Sequence, residues 1–80
     1  MNDSEPPPDL TIDACGHRCP TPTLRLRRGL EACAPGAVVL LLADDPLARI
    51  DVPHFLTQGG HALLGTTVDG RRLGFLIRKG

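Results

Sequence analysis

Aromatic side chains are scarce in this 80-residue sequence, which contains two Phe and neither Tyr nor Trp. Proteins that bind single-stranded nucleic acid stack bases on aromatic side chains, and nucleic-acid-binding domains are usually strongly basic. Here nine basic residues are balanced by nine acidic ones, so the formal net charge is zero with neutral histidines. We therefore expect no direct binding to nucleic acid.

Long apolar runs and a paired set of cysteines are also missing. No apolar run approaches the roughly 20 residues that a membrane-spanning helix needs. The three cysteines are an odd number, and no stretch resembles a secretory signal peptide, so a disulfide framework is not expected. These absences predict a cytoplasmic protein that has reduced thiols and does not contact a membrane.

The first nine residues differ in composition from the rest of the chain. Residues 1–9 are acidic and contain three consecutive prolines, Pro6, Pro7 and Pro8. We expect a disordered tail here, because such a segment has few apolar side chains to bury. Residues 10–80 are enough for a single domain, whose thin core would leave no room for a deep ligand cavity.

The first half of this domain has a strand pattern followed by a helix pattern. Residues 10–14 alternate between apolar and polar, which is typical of a half-buried strand. Thr21 suits the N-cap of a helix that should run from Pro22 to about Ala34, where Pro35 and Gly36 follow. The predicted buried stripe of this helix consists of Leu26, Leu30 and Cys33.

The second half predicts a buried strand, a short helix and a hairpin. Residues 37–43 form a continuous apolar run, typical of a central strand that is buried on both faces. Asp45 and Pro46 suit the start of a helical turn, and Pro53 should interrupt it, so that a helix covers only about residues 53–58. Gly59 and Gly60 should end that helix.

A two-residue turn at Asp69-Gly70 should connect strands over residues 61–68 and 71–79. In the last strand Leu73, Phe75 and Ile77 should share one face. The order is thus β-α-β-α-β-β, with the first two strands parallel and the final hairpin antiparallel. We predict an α/β fold, an α+β two-layer sandwich in which a four-stranded mixed sheet carries two helices on one face.

Cys19 is the strongest candidate for chemistry. It directly precedes the first predicted helix, whose free N–H groups and dipole favour an anion, and Arg18 adjoins it. Such surroundings lower the pKa of a thiol from about 8.5 and favour the thiolate, which can attack a sulfane sulfur and become a persulfide. The alternative is a buried structural cysteine, which the loop containing Pro20 and Pro22 disfavours.

Arginines cluster around this cysteine. Arg18, Arg25, Arg27 and Arg28 fall within eleven consecutive positions. They form either a solvated helix face or a docking surface for an acidic partner, and their position beside Cys19 favours docking.

A metal site and a redox disulfide are alternative interpretations of the same segment. Cys15, His17 and Cys19 alternate, so in an extended segment they would share a face and could bind a metal. A closed zinc site needs a fourth ligand that the segment does not supply, so we predict no metal. A Cys15–Cys19 disulfide would indicate thiol-redox activity, but CxxxC is a looser spacing than CxxC.

Three further residues are predicted to have structural roles, and a fourth has two possible roles. Cys33 is predicted to lie in the core, and His61 to be a hydrogen-bonded structural residue. Capping accounts for Asp45 better than metal binding does. Asp13 either orients the Cys19 loop or is a solvated strand residue, and the sequence does not distinguish the two.

Residues Leu10 to Lys79 resemble the TusA (SirA-like) sulfur-carrier family over nearly the whole domain. The opening motif of the family, Gly-x-x-Cys-Pro-x-Pro, is similar to residues 16–22 of this sequence. Further blocks resemble residues 43–46, 51–55 and 60–61. The sequence departs from the family at three positions. Members usually have an aliphatic residue at the position of His17. Many have Glu at the position of Thr21 and a second cysteine at that of Leu56.

This resemblance implies a sulfurtransferase without a cofactor. Cys19 would accept sulfur as a persulfide from a cysteine desulfurase or rhodanese-like donor and pass it to a downstream acceptor protein. In the family this route serves tRNA thiolation and, in some bacteria, sulfur oxidation or cofactor assembly. The residues expected to support the thiolate or the docking of partners are Arg18, Pro20, Pro22, Arg25 and Arg28. The alternative class is a non-catalytic docking or regulatory module.

Overall fold

Two helices and four strands follow one another in the predicted order β-α-β-α-β-β. The structure is a computed structural model that describes residues 7–16 and 21–80. Its elements are β1 (Leu10–Asp13), α1 (Thr21–Glu31), β2 (Val38–Ala43), α2 (Ala48–Gly59), β3 (Ala62–Asp69) and β4 (Arg72–Arg78).

The four strands form one mixed sheet in the order β1-β2-β4-β3. β1 pairs in parallel with β2, and Leu10 lies beside Val39. β4 pairs in an antiparallel manner with both β2 and β3. The predicted parallel pair, the antiparallel hairpin and the mixed four-stranded sheet are therefore confirmed.

Both helices pack on one face of the sheet and contact each other. The core lies between the two layers, and it takes Leu26 and Leu30 from α1 and Val52 and Leu56 from α2. On the sheet side its main residues are Val39, Leu41, Leu73, Phe75 and Ile77. The predicted inner face of the last strand is thus confirmed, and Cys33 packs against the core while half-buried.

Helix α1 ends at Glu31, three residues before the predicted end at Ala34. Pro35 disfavours helical geometry at Ala34, and the backbone tightens there, since Cys33 N–H donates to the Leu30 carbonyl over 3.1 Å. At the other end, Thr21 is the first helical residue rather than the N-cap.

The prediction that Pro53 restricts the second helix was wrong. α2 runs unbroken from Ala48 to Gly59, with Pro53 inside it. The preceding turn leads directly into the helix, because Ala48 N–H donates to the Asp45 carbonyl over 3.0 Å and Asp51 N–H to the Leu47 carbonyl over 2.9 Å. Buried side chains at Ala48, Val52 and Leu56, four residues apart, fix the helix to the sheet and offset the hydrogen bond that proline cannot donate.

Asp45 caps this preceding turn rather than α2 itself. Its Oδ1 accepts a hydrogen bond from Leu47 N–H over 3.0 Å, whereas the residue at the cap position of α2 is Leu47, which makes no side-chain cap. Among the described residues, no helix is long and apolar enough to cross a membrane.

Gly60 ends α2 as predicted. Its φ of 75° is in the left-handed region, and its N–H points to the carbonyls of Leu56 and Thr57. His61 N–H also donates to the Leu56 carbonyl over 2.9 Å, which completes a Schellman motif.

The hairpin turn lies one residue later than predicted. Asp69 pairs with Arg72, so the two turn residues are Gly70 and Arg71 rather than Asp69 and Gly70. Gly70 has a φ of 61°. Glycine at the first turn position is the arrangement that a type II′ turn requires, and this accounts for the shift.

Asp9 already contacts the sheet, although it is the last residue of the predicted tail. Its N–H donates to the Val38 carbonyl over 2.7 Å, and its Oδ2 accepts from Val38 N–H over 2.9 Å. Residues 1–6 lie outside the described part of the chain. The tail over 1–9 and the single domain over 10–80 stay predictions.

Candidate functional site

The predicted site residues fall into two groups. Arg18, Cys19 and Pro20 lie outside the described residues, as does His17. Pro22, Arg25 and Arg28 are described, and so is the backbone on both sides of the Cys19 segment, up to Gly16 and from Thr21 onward.

The topology brings the flanks of this segment to one edge of the sheet. β1, β2 and β3 run in the same direction, because β1 is parallel to β2 and β4 is antiparallel to both β2 and β3. Their last residues, Asp13, Ala43 and Asp69, therefore share an edge, here called the carboxyl edge. α1 follows β1 and α2 follows β2, so both helices begin at the carboxyl edge.

Two carboxylates hold the backbone just before the Cys19 segment. Asp13 Oδ1 accepts a hydrogen bond from Cys15 N–H over 3.0 Å. Both oxygens of Asp44 lie 2.9 Å from the nitrogen of Gly16, whose N–H donates to them. The turn at Cys15 and Gly16 is thus fixed both to its own strand and to the end of the neighbouring strand β2.

The far side of the segment is fixed by the start of α1. Pro22 is fully buried, so it packs the first turn of the helix into the domain. Arg25 Nη1 donates to the carbonyl of Asp13 over 3.1 Å, which ties α1 to the end of β1. Both ends of the Cys19 segment are therefore attached to the end of β1.

The two described arginines of the predicted docking group differ in their contacts. The Arg25 guanidinium is engaged by Asp13, whereas Arg28 is exposed on α1. Arg27, their neighbour, forms an ion pair with Glu31 over 3.2 Å, and both side chains are largely exposed. Such a surface pair contributes little to stability.

Cys15 is half-buried, and its surroundings make it a poor nucleophile at neutral pH. Burial, followed by the hydrogen bond and the negative charge of Asp13, raises the pKa of the Cys15 thiol above its ordinary value. The pKa of Asp13 is lowered from 3.8, mainly by the backbone N–H of Cys15, so this carboxyl group stays ionised. The thiolate is the reactive form, and Cys15 is therefore held in the unreactive one.

The described residues give no support for a metal site. Within residues 7–16 and 21–80, no group of three or more His, Cys, Asp or Glu side chains is arranged to hold a metal ion. Two members of the trio considered above, His17 and Cys19, lie outside this part of the chain.

Asp44 is the site residue that the sequence analysis missed. In the sequence it stands out only as an acidic neighbour of Asp45. The signal that could have indicated its role is its place directly after β2, since residues that follow parallel strands meet at one edge of a sheet.

The chain is similar to known proteins over most of its length. The family model of sulfurtransferase TusA matches residues 10–79 of this chain. Among solved structures, a SirA-like protein from Desulfitobacterium hafniense is similar, with a TM-score of 0.77 and 29% sequence identity. The match covers 89% of this chain and 97% of the other.

Proposed function

This chain belongs to the TusA sulfurtransferase family, and from that membership we propose that it carries sulfur as a persulfide on Cys19 and delivers it to an acceptor protein. A general sulfur-carrier role follows from the family. The finer proposal is supported by one structural observation: the backbone on both sides of Cys19 is anchored at the carboxyl edge, directly before a helix N-terminus.

The proposed chemistry needs no oxidant or reductant. The Cys19 thiolate attacks the outer sulfur of a donor persulfide; the new S–S bond forms as the old one breaks, and the donor cysteine leaves as a thiolate. An acceptor thiolate then attacks the same outer sulfur, and Cys19 leaves as a thiolate. A low pKa helps Cys19 in both steps, first by supplying the nucleophile and then by making it a good leaving group.

In this proposal, the start of α1 would lower the pKa of Cys19. Cys19 precedes the first helical residue, Thr21, by two positions. Free N–H groups of the first turn and the positive end of the helix dipole stabilise an anion at this place. Arg18 adds a positive charge next to the thiolate, and water screening keeps the contribution of that charge small.

The other thiols fit the role less well. The raised pKa of Cys15 keeps it protonated, and Cys33 packs against the core at the opposite end of α1. A redox pair of Cys15 and Cys19 would require Cys15 to become a nucleophile, which its surroundings oppose. Residues 10–80 would act as one sulfur-carrier domain behind a tail over residues 1–9.

The partners would be a cysteine desulfurase or rhodanese-like donor and a downstream acceptor protein in tRNA thiolation, sulfur oxidation or cofactor assembly. The exposed Arg28, with Arg18, would attract acidic surfaces on these partners. Pro20 and the buried Pro22 would keep the Cys19 loop stiff. A relay that depends on free thiols suits the cytoplasm, where thiols stay reduced.

The direct test is to incubate the protein with a cysteine desulfurase and cysteine and to measure its intact mass. We expect the mass to increase by one sulfur atom and to return to its starting value after treatment with dithiothreitol. Omitting cysteine is the control. A folded protein that gains no sulfur would instead support a docking or regulatory module.

A further inference from the structure

An open groove lies at the carboxyl edge, between the start of α2 and the turn that joins β3 to β4. Its volume is about 400 Å³. The residues that line it and that matter here are Asp44, Arg49, Val68, Arg71 and Leu73. The described residues that line this edge groove all lie outside the predicted catalytic loop.

The edge groove is connected to the Cys19 segment through Asp44. The Asp44 side chain lines the groove, and both of its oxygens accept from Gly16 N–H. Cys19 follows Gly16 by three residues, which span at most about 11 Å when fully extended. A chain bound in the groove can therefore bring a thiol to Cys19.

The side chains of the two arginines that line the edge groove, Arg49 and Arg71, have no partner among the described residues. Within the described residues, no ion pair or side-chain hydrogen bond involves Arg49 or Arg71, and both are exposed. By contrast, Arg25 is engaged by Asp13, and Arg27 by Glu31. Among the described residues that line the groove, Asp44 has the one carboxylate, and it accepts from the N–H of Gly16.

The edge groove also offers apolar surface. The Val68 side chain is 57% exposed at the end of β3, whereas Leu73 is nearly fully buried and forms part of the floor. Two unpaired guanidinium groups beside an exposed aliphatic side chain complement a ligand that carries carboxylates next to an apolar group.

We propose that the edge groove docks the thiol-bearing segment of a sulfur-relay partner, and that this segment has acidic and apolar residues beside its cysteine. The inference depends on the proposed function and adds to it the chemistry of the partner. When the docked thiolate attacks the outer sulfur of the Cys19 persulfide, its bond to that sulfur forms, the bond to Cys19 breaks, and Cys19 leaves as a thiolate.

A binding experiment tests the docking without sulfur chemistry. The probes are the peptides acetyl-Gly-Asp-Ser-Asp-Leu-Gly-amide and acetyl-Gly-Asn-Ser-Asn-Leu-Gly-amide, which differ in charge but hardly in shape. In two-dimensional NMR titrations at low salt, we expect the acidic peptide to shift the amide signals of Arg49 and of residues 68–71 more than the amide-bearing peptide does. Arg49→Gln combined with Arg71→Gln should remove this difference.

Arg78→Gln is the matched control, because Arg78 is an exposed arginine of β4 at the opposite end of the strand from Arg71. It should leave the titration unchanged. Equal shifts for the two peptides with the wild-type protein, or a charge preference that survives the double substitution, would overturn the proposal.

A transfer experiment then links docking to the relay. The same two peptides, with cysteine in place of serine, accept sulfur from the loaded protein. Intrinsic differences between the peptide thiols cancel when protein variants are compared. We expect the double variant to slow transfer to the acidic peptide about threefold to tenfold and to leave the neutral peptide nearly unchanged.

The remaining outcomes separate the two proposals. If Arg28→Gln rather than the double variant removes the preference, the acidic partner docks on α1 and the edge groove is not its site. If Cys19 never takes up sulfur while the NMR titration shows the expected shifts, the groove proposal survives as a docking site and the proposed carrier chemistry fails.

Discussion

At the scale of single residues, Asp13, Asp44 and Arg25 fix the backbone around the Cys19 segment. Asp44 reaches Gly16 across 28 positions of sequence, and Arg25 reaches the Asp13 carbonyl across 12. The sequence points to Cys19 as the proposed reactive cysteine because the signals are local: two prolines and a helix start. The roles of Asp13 and Asp44 could not be predicted, because they depend on how two parallel strands end beside each other.

The Asp44 contact predicts a graded effect of substitution. Asp44→Ala removes both acceptor oxygens at Gly16, so we expect it to lower the free energy of unfolding by about 1 kcal/mol and to slow the loading of Cys19. Asp44→Asn keeps one acceptor and should restore most of the loading rate. Asp69→Ala, another carboxylate at the end of a strand on the same edge, is the control. If all three variants load Cys19 at the same rate, the Asp44 contact with Gly16 does not affect the site.

The environment of Cys15 predicts its pH dependence. In a protein with Cys19→Ser and Cys33→Ser, only Cys15 reacts with iodoacetamide. Because burial and Asp13 raise its folded-state pKa, the thiol stays protonated at neutral pH, and the midpoint of alkylation should lie above that of the urea-unfolded chain. Asp13→Asn removes a negative neighbour and should move the midpoint down. A midpoint equal to that of the urea-unfolded chain would show that the surroundings do not act on Cys15.

At the scale of elements, the sequence identified every helix and strand but misplaced some of their ends. Periodic apolar patterns predicted the stripe of α1 and the inner face of β4 correctly, because burial on one face imposes that spacing. The interpretation of Pro53 failed since packing against the sheet outweighs a single missing hydrogen bond. The hairpin turn shifted by one residue because strand register, set by the whole sheet, places Gly70 first in the turn.

The unbroken α2 predicts opposite effects for two proline substitutions. Pro53→Ala restores a donor inside the helix and should raise the free energy of unfolding by about 1–3 kcal/mol. Pro46 lies in the turn before α2, and its fixed φ restricts the unfolded chain. Pro46→Ala should therefore lower the free energy of unfolding by about 0.4–1 kcal/mol. Urea denaturation of both variants measures the two changes. If Pro53→Ala leaves the free energy of unfolding unchanged or lowers it, then Pro53 does not destabilise α2.

At the scale of the whole molecule, the topology explains why the site lies where it does. Three strands end and two helices begin at the carboxyl edge, so Asp13, Asp44 and the start of α1 lie beside the described flanks of the Cys19 segment. The sequence order alone predicted this architecture, because a helix between strands implies a parallel pair and a short turn implies an antiparallel one. The edge groove could not be predicted, since α2 and the hairpin turn form it only when the sheet is assembled.

We propose that Cys19 alone carries the sulfur, and a comparison of three single substitutions tests this. Cys19→Ser, Cys15→Ser and Cys33→Ser are each incubated with a cysteine desulfurase and cysteine, and their intact masses are measured. We expect Cys15→Ser and Cys33→Ser to gain one sulfur atom, as the wild-type protein does, and Cys19→Ser to gain none. Sulfur uptake by Cys19→Ser, or an equal loss of uptake in folded Cys15→Ser, would contradict the proposal.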